Sequence, residues 1–317
     1  MFDGIDTVVL PVPDLDPLER LYTGPMGFVV ADRSQGADPA LQRLWSLPKA
    51  PTGSLLLAKP GSAGGWIRLV EVPGLADASM RIRADRVGAL ALDFYVREPD
   101  SVEGEIESLG FAFTSAAVQY PLPGRGSDVR ERILEQPHSG LIHAIVQYRP
   151  AATRCVLDTD DVGRVSEVVA VVIVTDRYRQ AVSFANEVLG ARTYFEGRFD
   201  GPAVETLLGL APGEGFTASL SRGPMSRNAR LEFAEAMPAS SSTPGRDSMP
   251  RAILSCAMDD LDGLARDIAD GRHGLSTGII PVRLDGLDQG RLGLRSVYGV
   301  DFDFFQRDPA TADRSGT

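Results

Sequence analysis

The sequence predicts an α+β fold in which four βαβββ modules pair into two cupped, barrel-like sheets. Three observations carry that prediction: an internal repeat, strand and helix periodicities that alternate inside each repeat, and a length of 317 residues, more than one ordinary core needs.

The first module opens with VVLPVPDLDPLERLYTGPMGFVV (8–30), an apolar β-branched run ending at Asp14, a short amphipathic helix and a Gly27-Phe28 step. DPALQRLWSLPKAPTGSLLLAKPG (38–61) and GGWIRLVEV (64–72) then read as a short helix and two strands. The third module repeats this order in VAVVIVTDRYRQAVSFANEVLGARTYF (169–195), GPAVETLLGLAPGEGFTASLSRGP (201–224) and NARLEFAEA (228–236), with Asp176 and Gly190 at the matching points. Two shorter relatives, ALALDFYVREPDSVEGEIESLGFAFTS (89–115) and RAILSCAMDDLDGLARDIADGRHG (251–274), place Asp100 and Asp260 at the same turn and close with GLIHAIVQYR (140–149) and GVDFDFFQR (299–307). A four-stranded sheet covered by its helix on one face leaves the other uncovered, and pairing with a second such sheet completes it as a cup. The reading divides the chain into an N-terminal half, 1–150, and a C-terminal half, 164–309, with 310–317 as a loose tail. RPAATRCVLDTDDVG (149–163) is the polar, turn-rich joint, and ASSSTPGRDSMP (239–250) an exposed connection.

Composition narrows the function. Forty-three acidic against 32 basic side chains give a net charge of −11, and the arginines are scattered, which disfavours nucleic acid. No apolar run is long enough for a bilayer, and MFDGIDTVVLPVPD has neither a basic start nor a cleavage site, so the expected location is the cytoplasm. Cys155 and Cys256 have no metal-ligand spacing and read as reduced structural thiols. The only histidines are His138, His143 and His273, which restricts any metal site built on imidazole.

With its strands ending in VPDL or VTD, each followed by a helix and a Gly-aromatic step, the chain resembles the vicinal oxygen chelate superfamily over residues 4–307. That superfamily includes glyoxalase I, bleomycin-resistance proteins and extradiol dioxygenases. The resemblance implies the paired-module fold and leaves open metal-dependent isomerases, lyases, epimerases and oxygenases as well as plain binders of drugs. It also implies where metal ligands would stand: an inward position of each first strand, seven residues before the turn aspartate, and an inward position of each last strand. Those first-strand positions are Thr7, Asp93, Val169 and Ile253. None is histidine. The last-strand positions are Arg68, Glu232 and Asp303, with either His143 or Ala144 in the second module, because a one-residue change of register reverses the face.

If each half forms its own cup, Thr7, Arg68, Asp93 and, in one register, His143 line the first, and Val169, Glu232, Ile253 and Asp303 the second. Arg68 repels a cation and attracts an anion or enolate, so the expectation is no metal and no cofactor. Asp93, Glu232, Asp303 and His143 are the candidate acid-base groups, and Thr7, Arg68, Tyr95 and Tyr120 the candidate substrate contacts. Two carboxylates in one apolar cup raise each other's pKa. Structural readings stand beside these: an Arg68–Asp93 ion pair filling a vestigial cavity, or an acid of the second cup neutralised by Arg230 or Arg295. PLPGRGSDVR (121–130) is not preceded by a strand and does not open a helix, so it is no phosphate loop.

The leading functional reading is a metal-independent lyase, isomerase or cyclase acting on an apolar or aromatic small molecule. Its alternatives are a non-catalytic drug-binding or resistance protein and a metal-dependent dioxygenase or glyoxalase-type enzyme. The expected partner is a small molecule, and fusion of the modules makes a monomer feasible with a homodimer open.

Overall fold

The computed structural model describes residues 2–75, 87–124, 126–136, 138–149, 155–159, 163–224, 229–235 and 252–306. The exposed connection 239–250, the tail 308–317 and most of the joint 149–163 lie outside the described residues.

The first module runs β1 (Thr7–Val12), α1 (Asp16–Thr23), β2 (Val29–Gln35), α2 (Pro39–Leu44), β3 (Gly53–Ala58) and β4 (Trp66–Glu71). The second runs β5 (Gly88–Val96), α3 (Pro99–Ser108), β6 (Val118–Pro121), β7 (Asp128–Gln136) and β8 (Leu141–Arg149). In the third, β9 (Val165–Thr175) precedes α4 (Tyr178–Ser183), which continues as a π turn over Phe184–Val188; β10 (Arg192–Asp200), α5 (Pro202–Leu208), β11 (Gly215–Arg222) and β12 (Arg230–Glu235) follow. The fourth comprises β13 (Ile253–Met258), α6 (Leu261–Asp267), β14 (Gly274–Leu284), β15 (Leu287–Ser296) and β16 (Asp301–Gln306). The short helices are pinned at their starts by side chains: Asp38 accepts from the Ala40 and Leu41 N–H groups at 2.9 and 3.0 Å, and Asp260 accepts from that of Gly263 at 2.7 Å.

In every module the first and last strands pair in parallel, as their helical crossover requires, and the remaining strands add antiparallel to the last. Two eight-stranded sheets result, ordered β14-β15-β16-β13-β1-β4-β3-β2 and β10-β11-β12-β9-β5-β8-β7-β6. The four modules and two cups follow the sequence reading, but the partners do not. Module one joins module four through the antiparallel seam Thr7↔Ser255, Val8↔Leu254 and Val9↔Ile253, and module two joins module three through β5 and β9. Each sheet therefore takes one module from each half of the chain. All four first strands are mostly apolar and buried on both faces, so the hydrophobic pattern specifies that a seam forms without specifying with whom.

One continuous core holds the two sheets together. Val8 and Leu10 of β1, Leu92 and Phe94 of β5, and Leu254 and Cys256 of β13 turn into it beside Leu18, Leu21 and Tyr22 of α1 and Val102 and Ile106 of α3. The opposite faces of the same strands carry separate clusters inside the cups, Val9 and Ile253 in one and Ala91 and Val169 in the other. The sheets also touch through main chain, where the Val168 N–H donates to the Gly65 carbonyl at 3.1 Å. Gly65 has φ of +66°, and a Cβ there would lie 2.3 Å from the Val168 carbonyl oxygen, so both its conformation and that approach require glycine. Among the described residues no helix is long and apolar enough to cross a membrane.

Candidate functional site

The pairing of modules redistributes the predicted site residues. Thr7, Arg68, Ile253 and Asp303 belong to the sheet of modules one and four, whereas Asp93, Val169 and Glu232 belong to the sheet of modules two and three. Arg68 thus never meets Asp93.

The cup of modules one and four is closed. Trp45, just past α2, is 1% exposed and packs with Leu41, Leu44, Val9, Ile253, Ile280 and Val282 over the concave face. Its indole Nε1 donates to Asp303 Oδ2 at 3.0 Å. Arg291 grips both Asp303 oxygens at 2.8 Å and donates to Ser255 Oγ at 2.6 Å; the Arg291 and Asp303 side chains are 4% and 0% exposed. Arg68 makes a second pair with both oxygens of Asp285, in the turn between β14 and β15, and donates to Ser54 Oγ at 3.3 Å. Arg68 and Asp303, expected as a substrate contact and an acid-base group, are thus each held in an ion pair, with Asp285 and Arg291 respectively.

The cup of modules two and three is open. It encloses a cavity of about 100 Å³, room for one small organic molecule in place of several waters. Asp93 of β5, Glu131 of β7 and Glu232 of β12 line it among apolar side chains from β8, β9, α5 and β11, with Tyr120, Tyr148, Phe199 and Phe216 as aromatic walls. The strand period of two brings them together: Asp93 alternates with the core residues Leu92 and Phe94, and Glu232 with Leu231 and Phe233. All three acids are half-buried, and burial is the first cause of their altered acidity. It lifts Glu131 and Glu232 to about 7, Glu232 also feeling the charge of Glu131. Asp93 is pushed well above the carboxylate range by burial and then by Glu232 and Glu131. The Tyr120 hydroxyl donates to Glu131 and so favours its ionised form.

Arg230, two residues before Glu232, is the basic group of this cup. It donates to the Val169 carbonyl at 2.8 Å, the Tyr194 hydroxyl at 3.1 Å and the Tyr95 hydroxyl at 2.8 Å. Its charge lowers Asp93 and Glu232 without cancelling the effect of burial. Of the two tyrosines expected to touch substrate, Tyr95 anchors this arginine and Tyr120 lines the cavity.

His143 lies on the other side of its strand. β8 pairs Ala144 with Asp93, so Ala144 lines the cavity and His143 enters the core, stacked on Tyr22 and receiving or giving a 2.6 Å hydrogen bond with its hydroxyl. Burial depresses its pKa to about 4, so the ring is neutral at pH 7. Tyr22→Phe is expected to cost about 1–3 kcal/mol in denaturant unfolding, because a buried ring nitrogen loses its partner, and to leave the cavity unchanged.

Glu131 was absent from the sequence prediction. Its signal is the alternation Val129-Glu131-Ile133, but Arg130 and Arg132 on either side make DVRERILEQ resemble a solvated charged strand. Those arginines face away from the cup, and both bind the buried Glu103 of α3.

The donor set does not suit a metal ion. The inward first- and last-strand positions of the open cup are Asp93, Val169, Ala144 and Glu232, with a guanidinium beside them, and among the described residues no group of three His, Cys, Asp or Glu could hold one.

No family model and no curated protein matches the sequence. Solved structures do. A single-substitution mutant of glyoxalase I from Zea mays superimposes with a TM-score of 0.63 at 14% identity, over 96% of this chain and 92% of its own. The unmutated maize enzyme gives 0.59 at 13% over 96% and 92%. The chain has the vicinal oxygen chelate fold. A Bacillus subtilis protein provisionally described as a dioxygenase shares that fold, with a TM-score of 0.61 at 15% identity over 97% of this chain and 86% of its own. At such identities the vicinal oxygen chelate fold is what these structures have in common with this chain; its chemistry has to come from its own residues.

Proposed function

We infer that the open cup is the active site of an enzyme that moves a proton on an apolar or aromatic small molecule, in a metal-independent isomerase or lyase step. The observation that carries this reading is the grouping of Asp93, Glu131 and Glu232 in one apolar cavity, where burial raises all three above their ordinary values and Glu131 and Glu232 to about 7. At pH 7 such a set holds both forms that proton transfer needs. Asp93, raised well above its ordinary acidity by burial and by Glu232 and Glu131, is the acid that donates to the oxygen on which charge develops. Glu232, raised to about 7 by burial, takes a proton from carbon; an acidity near the working pH is where a general base is most effective. Tyr120 steadies Glu131 through its hydroxyl. Arg230 supports the ionised form of Glu232.

The substrate class that follows is a compound with a weakly acidic C–H beside a carbonyl, carried on an apolar or aromatic frame. The test is a panel of aryl and alicyclic ketones incubated with the protein in D2O and followed by NMR. Deuterium is expected to enter beside the carbonyl of at least one member, and Asp93→Asn and Glu232→Gln are expected to suppress it. Ketones that bind and return unexchanged would replace catalysis with sequestration.

A further inference from the structure

The two cups are copies of one design, and their differences carry information. By the repeat, Trp45 at the end of α2 corresponds to Leu208 at the end of α5, and the next residue has positive φ in both, Ser46 at 51° and Gly209 at 66°. Where the indole closes one cup, the smaller Leu208 borders the cavity of the other. Register relates the charged positions. Asp303 and Ala144 hold the same place in the last strands of modules four and two. Their first-strand partners are Ser255 and Asp93, and two residues on, Phe305 and Val146 pair with Arg291 and Glu131. Arg68 and Glu232 occupy equivalent places in GGWIRLVEV and NARLEFAEA. Both arginines of the closed cup are therefore glutamates in the open one.

In the closed cup each arginine has a carboxylate partner, Asp285 or Asp303. In the open cup Asp93, Glu131 and Glu232 face the cavity, with the exposed Glu235 at its rim, while Arg230 spends its N–H groups on a carbonyl and two hydroxyls. Proton transfer needs two carboxyls, and the cavity has more. The walls suit the same kind of occupant: Tyr148 and Tyr120 line the cavity, and Phe199 and Phe216 stack at 5.3 Å. The cup already seats one cation on an aromatic face, Arg230 over the Tyr95 ring at 5.4 Å.

Resting on the assignment of the open cup as the active site, we propose that its substrate or ligand carries a protonated amine on an apolar or aromatic frame, the ammonium taking the place that arginine side chains occupy in the closed cup. Glu131, which the proton-transfer step leaves free, receives the ammonium, Glu232 remains the base, and the aromatic walls take the frame. Because the cation is bound by the ionised form of Glu131, its binding expels a proton and tightens as pH rises through neutrality. The groups facing it are Asp93, Glu131, Glu232 and Glu235, with Tyr120 and Tyr148 as neutral phenols and Arg230 as a fixed charge.

The probes are phenethylamine, phenethyl alcohol and hydrocinnamate, matched in frame and differing in charge, titrated calorimetrically into the full chain in two buffers of different ionisation enthalpy. The amine is expected to bind at least about tenfold more tightly than the alcohol and more tightly still than the anion, with net proton release near neutral pH. Leu208→Trp, which installs the counterpart of Trp45, is expected to abolish binding. The proposal is overturned if the alcohol or the anion matches the amine, if no amine binding is detected at millimolar concentration, or if Leu208→Trp leaves that binding intact. Carboxylate-dependent exchange into neutral ketones with no preference for the amine would sink the cation alone. Amine preference without exchange into any carbonyl compound would uphold the cation and sink proton transfer.

Discussion

Arg291→Met is expected to destabilise the fold by about 3–5 kcal/mol in chemical denaturation while sparing ligand binding, since it breaks a buried ion pair and strands one charge. Asp303 is fully buried and receives both Arg291 bonds and the Trp45 indole N–H. Removing the guanidinium leaves one indole donor for a buried carboxylate. The damage sits in the closed cup, away from Asp93 and Glu232. The double variant Arg291→Met with Asp303→Leu is expected to recover most of the loss, because replacing both members of a buried pair by apolar groups of similar volume is often neutral or favourable. Equal loss in the single and double variants would mean that the guanidinium's contact with the Phe305 ring, rather than its pair with Asp303, dominates this site.

Glu232→Gln is expected to act in opposite directions on activity and on stability. Loss of the base should lower turnover by about 10²–10⁴-fold, and the rate of the unmodified protein should rise with pH through about 7 as Glu232 ionises. Stability runs the other way. Glu131 and Glu232 have folded-state pKa values raised from 4.5 to about 7, so between those limits the folded chain binds more protons than the unfolded one. Their contribution is fully present below pH 4.5 and is lost as pH rises through 7, with a slope of up to ~1.4 kcal/mol per pH unit for each group. In Glu131→Gln/Glu232→Gln the decline in melting temperature across this window should shrink, and above it the variant should be the more stable protein. Such a gain on removing candidate catalytic groups is the expected mark of a site that trades stability for chemistry.

Much of this site is visible in the chain before folding. Asp93 and Glu232 are legible because the turn aspartates fix the phase of each strand and the period of two then marks the inward positions. Their meeting in one cup is not legible, since four first strands that are mostly apolar and buried on both faces can pair in more than one way, and the choice is made by contacts far apart in sequence. His143 shows the same limit at one residue: LIHAIV is buried throughout, so alternation gives no phase. The equal spacing from Gly140 to Gln147 and from Gly299 to Gln306 favoured Ala144 as the inward residue, and the β8 register has it so. Glu131 escaped because it lies on a third strand, between two arginines. The open cavity is foreshadowed only by Leu208 standing where the repeat has Trp45, a difference whose meaning depends on seeing that the tryptophan is a plug.

The most direct test is titration of the glutamate side-chain carboxyls by 13C NMR, with Glu131→Gln and Glu232→Gln spectra assigning the two resonances. Both carboxyls are expected to titrate about 7, together and with mutual dependence. Midpoints at the ordinary glutamate value of about 4.3 would contradict a cavity that keeps these acids poised for proton transfer.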